Sequence, residues 1–310
     1  MRVIFMGTPE FAVPSLDMLV REGYEVAAVV TQPDKPKGRG NKLAAPPVKE
    51  YAAGRGIPVL QPVKVRTPEY ADQLRSYRPD LFVTCAYGRI LTGQVLGIPS
   101  LGCINVHGSL LPRYRGAAPI QWAVINGDSV TGITTMFTDE GLDTGDMLLK
   151  KEIEITGNMT AGELHDRLAL MGAQVLKETL EQLKNGILQR IPQPEEGVSF
   201  APMLDKNLGR IDWTKTSGEI HNLVRGTDPW PGAFSFYKGE RIRIWKTLTE
   251  GVAGSLKKPG TIVEVSREGI LVACGSGAVR IAEVQFDSGR RMSVDSYLAG
   301  HTIDEGEILE

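Results

Sequence analysis

Leu101-Gly102-Cys103-Ile104-Asn105-Val106-His107-Gly108-Ser109-Leu110-Leu111-Pro112 is the stretch whose reading decides the fold. Residues 101–107 form an apolar run of strand length, and a glycine and a proline punctuate the turn that follows. Runs that are apolar on both faces suit parallel strands covered by helices on each side. Side chains alternate along a strand, so Asn105 and His107 project from one face near its carboxyl end. Open α/β sheets place their ligands beyond that end. An amide donor and an imidazole aimed at one point suit a developing oxyanion. A buried histidine and asparagine satisfying loop carbonyls give the same pattern.

The same texture recurs upstream. Residues 3–6, 26–30, 81–86 and 104–107 are continuous apolar segments, and helical patterns fill 14–21, 48–53, 68–77 and 118–125. Thr67-Pro68-Glu69 predicts a helix start, with a capping hydroxyl, proline at the first position and an acid in the first turn. Strand–helix–strand repetition predicts an α/β domain built on a doubly wound, mainly parallel sheet. Gly7-Thr8-Pro9-Glu10 lacks the further glycines that a dinucleotide pyrophosphate needs and reads as a sharp strand-to-helix turn.

A long helix closes this domain. Thr160-Ala161-Gly162-Glu163 is a capping box, Leu164, Leu168, Met171, Val175 and Leu183 form an apolar stripe, and Asn185-Gly186 supplies the stop. Pro192, Pro194, Gly197 and Pro202 then punctuate a polar stretch. The expected organisation is a first domain over 1–189, a linker over 190–206 and a second domain over 207–310. Short β-rich runs at 233–237, 241–246, 260–265, 270–274 and 278–284 predict a small antiparallel barrel there.

With 310 residues the chain can build two cores. Its net charge is −2, so binding a polyanion requires a local patch. Cys85, Cys103 and Cys274 are scattered and form no C-x-x-C pair, which argues for small buried hydrophobes rather than a disulfide framework or a zinc site. Arg2 leads directly into the apolar run 3–6, leaving no room for a signal or transit peptide. No apolar stretch approaches the length of a membrane span. A cytoplasmic chain without a membrane partner is expected.

Asp139-Glu140-Gly141-Leu142-Asp143-Thr144-Gly145-Asp146 places four acids and two glycines between apolar runs. It reads as a solvated acidic loop, as a calcium loop whose spacing does not match an EF-hand, or as a carboxylate folded back onto His107. In the last case the carboxylate orients the ring and stabilises its imidazolium, giving a proton relay.

Together these segments resemble the folate-dependent formyltransferases. The resemblance rests on Asn105-Val106-His107, Ser109-Leu110-Leu111-Pro112 and Gly141-Leu142-Asp143-Thr144-Gly145, in that order. Gly7-Thr8-Pro9-Glu10-Phe11-Ala12, Thr31-Gln32-Pro33-Asp34, Gly102-Cys103-Ile104-Asn105, Tyr114-Arg115-Gly116-Ala117-Ala118-Pro119-Ile120-Gln121 and Trp230-Pro231 extend it across both domains, most fully toward members acting on methionyl-tRNA. It implies a Rossmann-like formyltransferase domain followed by an OB-like β-barrel that binds tRNA. The implied reaction moves a formyl group from 10-formyltetrahydrofolate to the α-amine of methionine on charged initiator tRNA, with no metal. Asn105 is then the donor to the oxygen that gains charge. His107 donates to it as well or shuttles the proton of the amine, and Asp143 holds His107. Ser109, Leu110, Leu111 and Pro112 line the folate site, with the pterin against Gly88, Arg89, Ile90 and Leu91; Leu110 and Leu111 equally read as core.

Residues 33–49 carry Lys35, Lys37, Arg39, Lys42 and Lys49 against a single acid, Asp34, among glycines and prolines. By charge alone this is a solvated flexible loop. Because it leaves a strand of the same sheet, it is placed to cross the site and contact tRNA phosphates. Lys35, Lys37, Arg39 and Lys42 are the tRNA-binding candidates, with Arg39 at the acceptor end. Phe11 reads as core or as part of a methionyl pocket. The competing function is formylation of a small amine, an amino sugar nucleotide or glycinamide ribonucleotide, which needs neither the basic loop nor this barrel. A monomer is expected.

Overall fold

The computed structural model describes residues 1–37, 42–250, 257–287 and 289–310. They divide into two compact units: Met1–Pro119, Val130–Ile153 and His165–Pro202 in the first, and Ile120–Ser129, Glu154–Leu164 and Met203–Glu310 in the second. Most of the stretch read from sequence as a linker, through Pro202, therefore clusters with the first unit.

Up to Pro202 the strands are β1 (Arg2–Gly7), β2 (Glu25–Val30), β3 (Lys35–Lys37), β4 (Lys42–Ala44), β5 (Val59–Leu60), β6 (Leu81–Cys85), β7 (Cys103–His107), β8 (Arg115–Gly116), β9 (Val130–Phe137), β10 (Met147–Glu154) and β11 (Phe200–Ala201). The helices are α1 (Val13–Arg21), α2 (Pro47–Ala53), α3 (Pro68–Ser76), α4 (Gly93–Leu96), α5 (Pro119–Ile125) and α6 (Ala161–Lys184). The main sheet has the order β10-β9-β7-β6-β1-β2-β5. Strands β5, β2, β1, β6 and β7 are parallel, and β9 lies antiparallel to β7. The mainly parallel, doubly wound sheet expected from the strand–helix alternation is the one that forms.

The centre of this sheet is β1, whose Val3, Ile4, Phe5 and Met6 are wholly buried. Burial of a large apolar side chain contributes about 1.5–3 kcal/mol, so this run fixes the strand in the middle. Sequence order reverses between β1 and β6, which opens a crevice beyond their carboxyl ends. At Gly7 an added Cβ would lie 2.8 Å from Ala12 Cβ and 2.9 Å from the Cys85 carbonyl oxygen. That glycine is a tight turn between packed elements, as read from sequence. Strand β9 was not anticipated. Its Gly132 weakens the strand pattern, and the reason is close approach of backbone: a Cβ there would lie 2.1 Å from the Lys151 carbonyl oxygen.

Helix α6 starts with the expected capping box. Thr160 N donates to Glu163 Oε2 at 2.8 Å, and Glu163 N donates to Thr160 Oγ1 at 3.2 Å. The helix packs on β7, where a Cβ at Gly172 would meet Val106 Cγ1 at 3.0 Å. Thr179 and Thr135 also share a buried hydroxyl contact of 2.8 Å. Val106 thus faces α6, and alternation puts Asn105 and His107 on the opposite face. Thr67 caps α3 as predicted, its hydroxyl accepting from Tyr70 N at 3.3 Å.

The described parts of the basic stretch, 33–37 and 42–49, carry secondary structure. Strands β3 and β4 form a two-stranded antiparallel sheet with Lys35 opposite Ala44 and Lys37 opposite Lys42, and α2 begins at Pro47.

The second unit is antiparallel. Its strands are β12 (Ala233–Tyr237), β13 (Glu240–Glu250), β14 (Ile262–Ser266), β15 (Gly269–Ala273), β16 (Ala278–Phe286) and β17 (Met292–Ser293), with helices α7 (Ser217–Gly226) and α8 (Val294–Leu298). Among the described residues the strand order is β12-β13-β16-β15-β14, with β17 on β16. Trp213, Ile220, Ile244, Val272 and Ile281 belong to its core.

All three cysteines are free and buried. Burial pushes the Cys85 thiol up to about 12 and that of Cys103 to about 11, so both act as packing groups rather than nucleophiles.

Candidate active site

Asn105 stands beside β6, in register with Thr84. The Thr84 hydroxyl donates to Asn105 Oδ1 at 2.9 Å. With its oxygen engaged, the amide presents both N–H groups as donors. Thr84 gave no signal of its own in the sequence, because it lies inside an apolar strand run.

His107 is buried, at 5% exposure. Its Nε2 lies 3.0 Å from the Tyr114 carbonyl oxygen. A carbonyl only accepts, so Nε2 carries a proton and Nδ1 is the nitrogen that gains or loses one. Nδ1 is 3.7 Å from Asp143 Oδ2, too long for a direct hydrogen bond and short enough for an ion pair once the ring carries a second proton. The task of holding His107 is therefore divided. The Tyr114 carbonyl orients the ring, and Asp143 sets a carboxylate opposite Nδ1. Tyr114 itself takes a left-handed backbone, φ 61°.

The four acids of the 139–146 loop have separate jobs. Asp139 closes its own turn, accepting from the Thr144 hydroxyl at 2.7 and 2.9 Å and from Gly141 N at 3.1 Å. Glu140 accepts from Gly93 N at 2.8 Å, at the start of α4. Asp146 pairs with Arg190 at 3.0 Å. Only Asp143 is directed to His107, and its Oδ2 also accepts from Gly116 N at 2.8 Å. Gly145 seats this loop closely, since a Cβ there would lie 1.8 Å from the Phe137 carbonyl oxygen. Gly145→Ala is expected to cost on the order of 1–3 kcal/mol of stability and to lower turnover by shifting Asp143. Thermal melting and steady-state kinetics check both, and wild-type values in each would show the fit to be dispensable.

A second set of residues surrounds this loop. Gln193 Nε2 donates to the carbonyls of Asp143 and Gly145, both at 2.8 Å, and its Oε1 accepts from Arg115 Nε and Nη2 at 3.0 and 2.7 Å. Ser199 Oγ accepts from Tyr114 N at 2.9 Å, and β11 pairs in parallel with β8.

The folate candidates fall in two places. In the 109–112 turn, the Ser109 hydroxyl donates to the Arg113 carbonyl at 2.6 Å, and Leu111 N donates to Thr134 Oγ1 at 3.1 Å. Leu111 packs with Met136 and Met147, while Leu110 and Pro112 are half-buried. Lys150 Nζ donates to the Leu111 carbonyl, and partial burial lowers the pKa of that lysine. Gly88, Arg89 and Ile90 are exposed beyond β6, and Leu91 is buried. Gln32 Nε2 ties this segment down through the Tyr87 and Gly88 carbonyls at 3.0 and 3.3 Å, and Thr8 Oγ1 donates to the Tyr87 carbonyl at 3.2 Å. Loops after β1, β2 and β6 thus meet at the switch point.

Of the tRNA candidates, Lys35 is exposed on β3, Lys37 and Lys42 are in backbone register between β3 and β4, and Arg39 lies outside the described residues. Lys49 is engaged by Asp34, at 2.8 Å, and by Gln61; its ammonium holds the Asp34 carboxyl below the usual range. Phe11 is buried with its ring 5.2 Å from that of His165.

An amide donor, an imidazole with one free nitrogen and a carboxylate, gathered at the end of a strand in a doubly wound sheet, define a site suited to transfer of a carbonyl-bearing group. Residues 1–180 match the model of the formyl transferase family, and 203–302 match that of the formyl transferase C-terminal domain. The chain belongs to the formyl transferase family. It is 63% identical over 309 residues to a protein named methionyl-tRNA formyltransferase from Acetivibrio thermocellus, covering 100% of this chain and 99% of that one. A protein of the same name from Ruminiclostridium cellulolyticum is 62% identical over 310 residues, again covering 100% and 99%. Among solved structures, an N-formyltransferase from Helicobacter canadensis, in complex with folinic acid and dTDP-3-aminofucose, has the same fold. Its TM-score is 0.68 over 94% of this chain and 99% of that one, at 20% identity. Among the described residues no helix is long and apolar enough to cross a membrane.

Proposed function

We infer that this chain formylates the α-amine of methionine charged on initiator tRNA, with 10-formyltetrahydrofolate as the donor. What carries this reading is the meeting of Asn105, His107 and Asp143 in a chain so close, over its whole length, to proteins named methionyl-tRNA formyltransferase.

The exposed segment Gly88, Arg89 and Ile90, at a switch-point crevice, suits the flat, hydrogen-bonding edge of a pterin. Leu110 and Pro112 are the side chains of the 109–112 turn that remain accessible to it, with Ser109 and Leu111 shaping the turn from within. The folate supplies the formyl carbon. Asn105 Nδ2 donates to the oxygen that gains negative charge as the amine adds. His107 Nδ1 takes the proton that the amine loses and returns it to the folate nitrogen as the bond between that nitrogen and the formyl carbon breaks, while Nε2 stays on the Tyr114 carbonyl. The Asp143 carboxylate stabilises the resulting imidazolium across 3.7 Å.

Lys35, Lys37, Arg39 and Lys42 contact phosphates of the acceptor arm, and the OB-like domain over 207–310 supplies a further tRNA-binding surface. The protein works as a cytoplasmic monomer. Replacing Lys35, Lys37 and Lys42 together with alanine is expected to weaken Met-tRNA binding and to flatten its log–log salt dependence by about 0.7–0.9 per lost phosphate contact. Arg39→Ala is expected to do the same and to lower the rate with Met-tRNA. Binding titrations at several salt concentrations check this, and an unchanged slope would make the segment merely solvated.

A small-amine acceptor is the other reading, and the solved N-formyltransferase in complex with dTDP-3-aminofucose shares the fold with this chain at 20% identity. Incubation with 10-formyltetrahydrofolate and either charged initiator tRNA or an amino sugar nucleotide separates the two. Formyl-methionine recovered from the tRNA supports the first, and a formylated sugar overturns it.

A further inference from the structure

We propose that Gln193 is a positioning residue that sets Asp143 opposite His107, keyed in place by Arg115. The proposal rests on the reading of the His107–Asp143 pair given above.

Gln193 uses its whole hydrogen-bonding capacity on this task. Both Nε2 protons go to the carbonyls of Asp143 and Gly145, and both lone pairs of Oε1 receive the Arg115 guanidinium. The amide cannot turn over. Reversed, its oxygen would face two carbonyl oxygens and its NH2 would face guanidinium N–H groups.

The position it holds needs holding. Asp143 has φ 52°, a left-handed backbone that aspartate enters more readily than most side chains but that the loop must still hold in one place. Two ties hold it here. Gly116 N grips the carboxylate at 2.8 Å, and Gln193 grips the carbonyl of the same residue. Arg115 and Gly116 are neighbours in β8, so one tie runs directly from that short strand to the loop residue and the other reaches it through Arg115 and Gln193. Together they fix the backbone and the side chain of Asp143, and so the 3.7 Å approach to Nδ1.

The segment that delivers Gln193 is anchored on both sides. Ile191 and Met147 exchange backbone hydrogen bonds at 2.8 and 2.9 Å, and Phe200–Ala201 pairs with Arg115–Gly116. A connection that merely joined two domains would need neither anchor.

A double-mutant cycle read in kcat tests the proposal. Gln193→Ala is expected to lower kcat about tenfold, with KM for folate and Met-tRNA within about twofold of wild type. In an Asp143→Asn background the same substitution is expected to leave the residual kcat unchanged, because the group it positions is already inactive. Arg115→Lys, which cannot offer two N–H groups in a fixed fork, is expected to fall between wild type and Gln193→Ala. Gln193→Met, equal in length and without hydrogen bonds, replaces Gln193→Ala if that variant does not fold. Wild-type kcat in the glutamine variant, or a further tenfold loss on top of Asp143→Asn, overturns the proposal and assigns Gln193 to the fold alone. Wild-type kcat in Asp143→Asn itself would instead overturn the reading of the pair on which the proposal rests.

Discussion

Asn105→Asp is expected to lower kcat by about 10²–10³-fold while the protein stays folded and binds both substrates. The substitution is isosteric, and a carboxylate oxygen still accepts from the Thr84 hydroxyl that now meets Oδ1 at 2.9 Å. What disappears is the pair of N–H donors. In their place stands a negative charge, where negative charge must develop as the amine adds. The loss therefore falls on the transition state and not on ground-state binding, which predicts kcat and kcat/KM falling in parallel. A variant that turned over normally would remove Asn105 from the chemistry.

Asp143→Asn is expected to lower kcat by about 10²–10⁴-fold, the usual scale for losing a proton-transfer relay. Asparagine is the informative substitution because it tolerates the left-handed backbone that Asp143 adopts at φ 52°. Its Oδ1 also accepts from Gly116 N as the carboxylate does. Backbone and tether are kept, and only the charge opposite His107 Nδ1 is removed. Alanine would lose the tether as well and would mix a positioning defect with the chemical one. Single-turnover rates at saturating folate and Met-tRNA measure the effect, and a rate within about twofold of wild type would show that His107 needs no carboxylate.

Much of this site is legible in the sequence because it obeys short-range periodicity. The apolar run before His107 and the alternation of a strand suffice to place Asn105 and His107 on one face. The capping box at Thr160 and Glu163 and the stripe behind it suffice for α6. What is not legible depends on partners far away along the chain. Four acids at 139–146 look equivalent until Thr144, Gly93 and Arg190 claim the other three. Gln193 meets Asp143 and Arg115 at separations of 50 and 78 residues, from within a proline-punctuated stretch that reads as linker. Tyr114 acts through its carbonyl, which no side-chain pattern announces. Lys49 counts toward the basic character of 33–49 in the sequence, yet its charge is taken by Asp34.

The decisive measurement is a crystal structure of the protein with a stable N-formyl folate. The formyl oxygen is expected within about 2.7–3.1 Å of Asn105 Nδ2, with the pterin along Gly88, Arg89 and Ile90 and with His107 Nδ1 on the side open to the incoming amine. A formyl group bound away from Asn105 and His107, with those donors turned to solvent, would contradict the site described here.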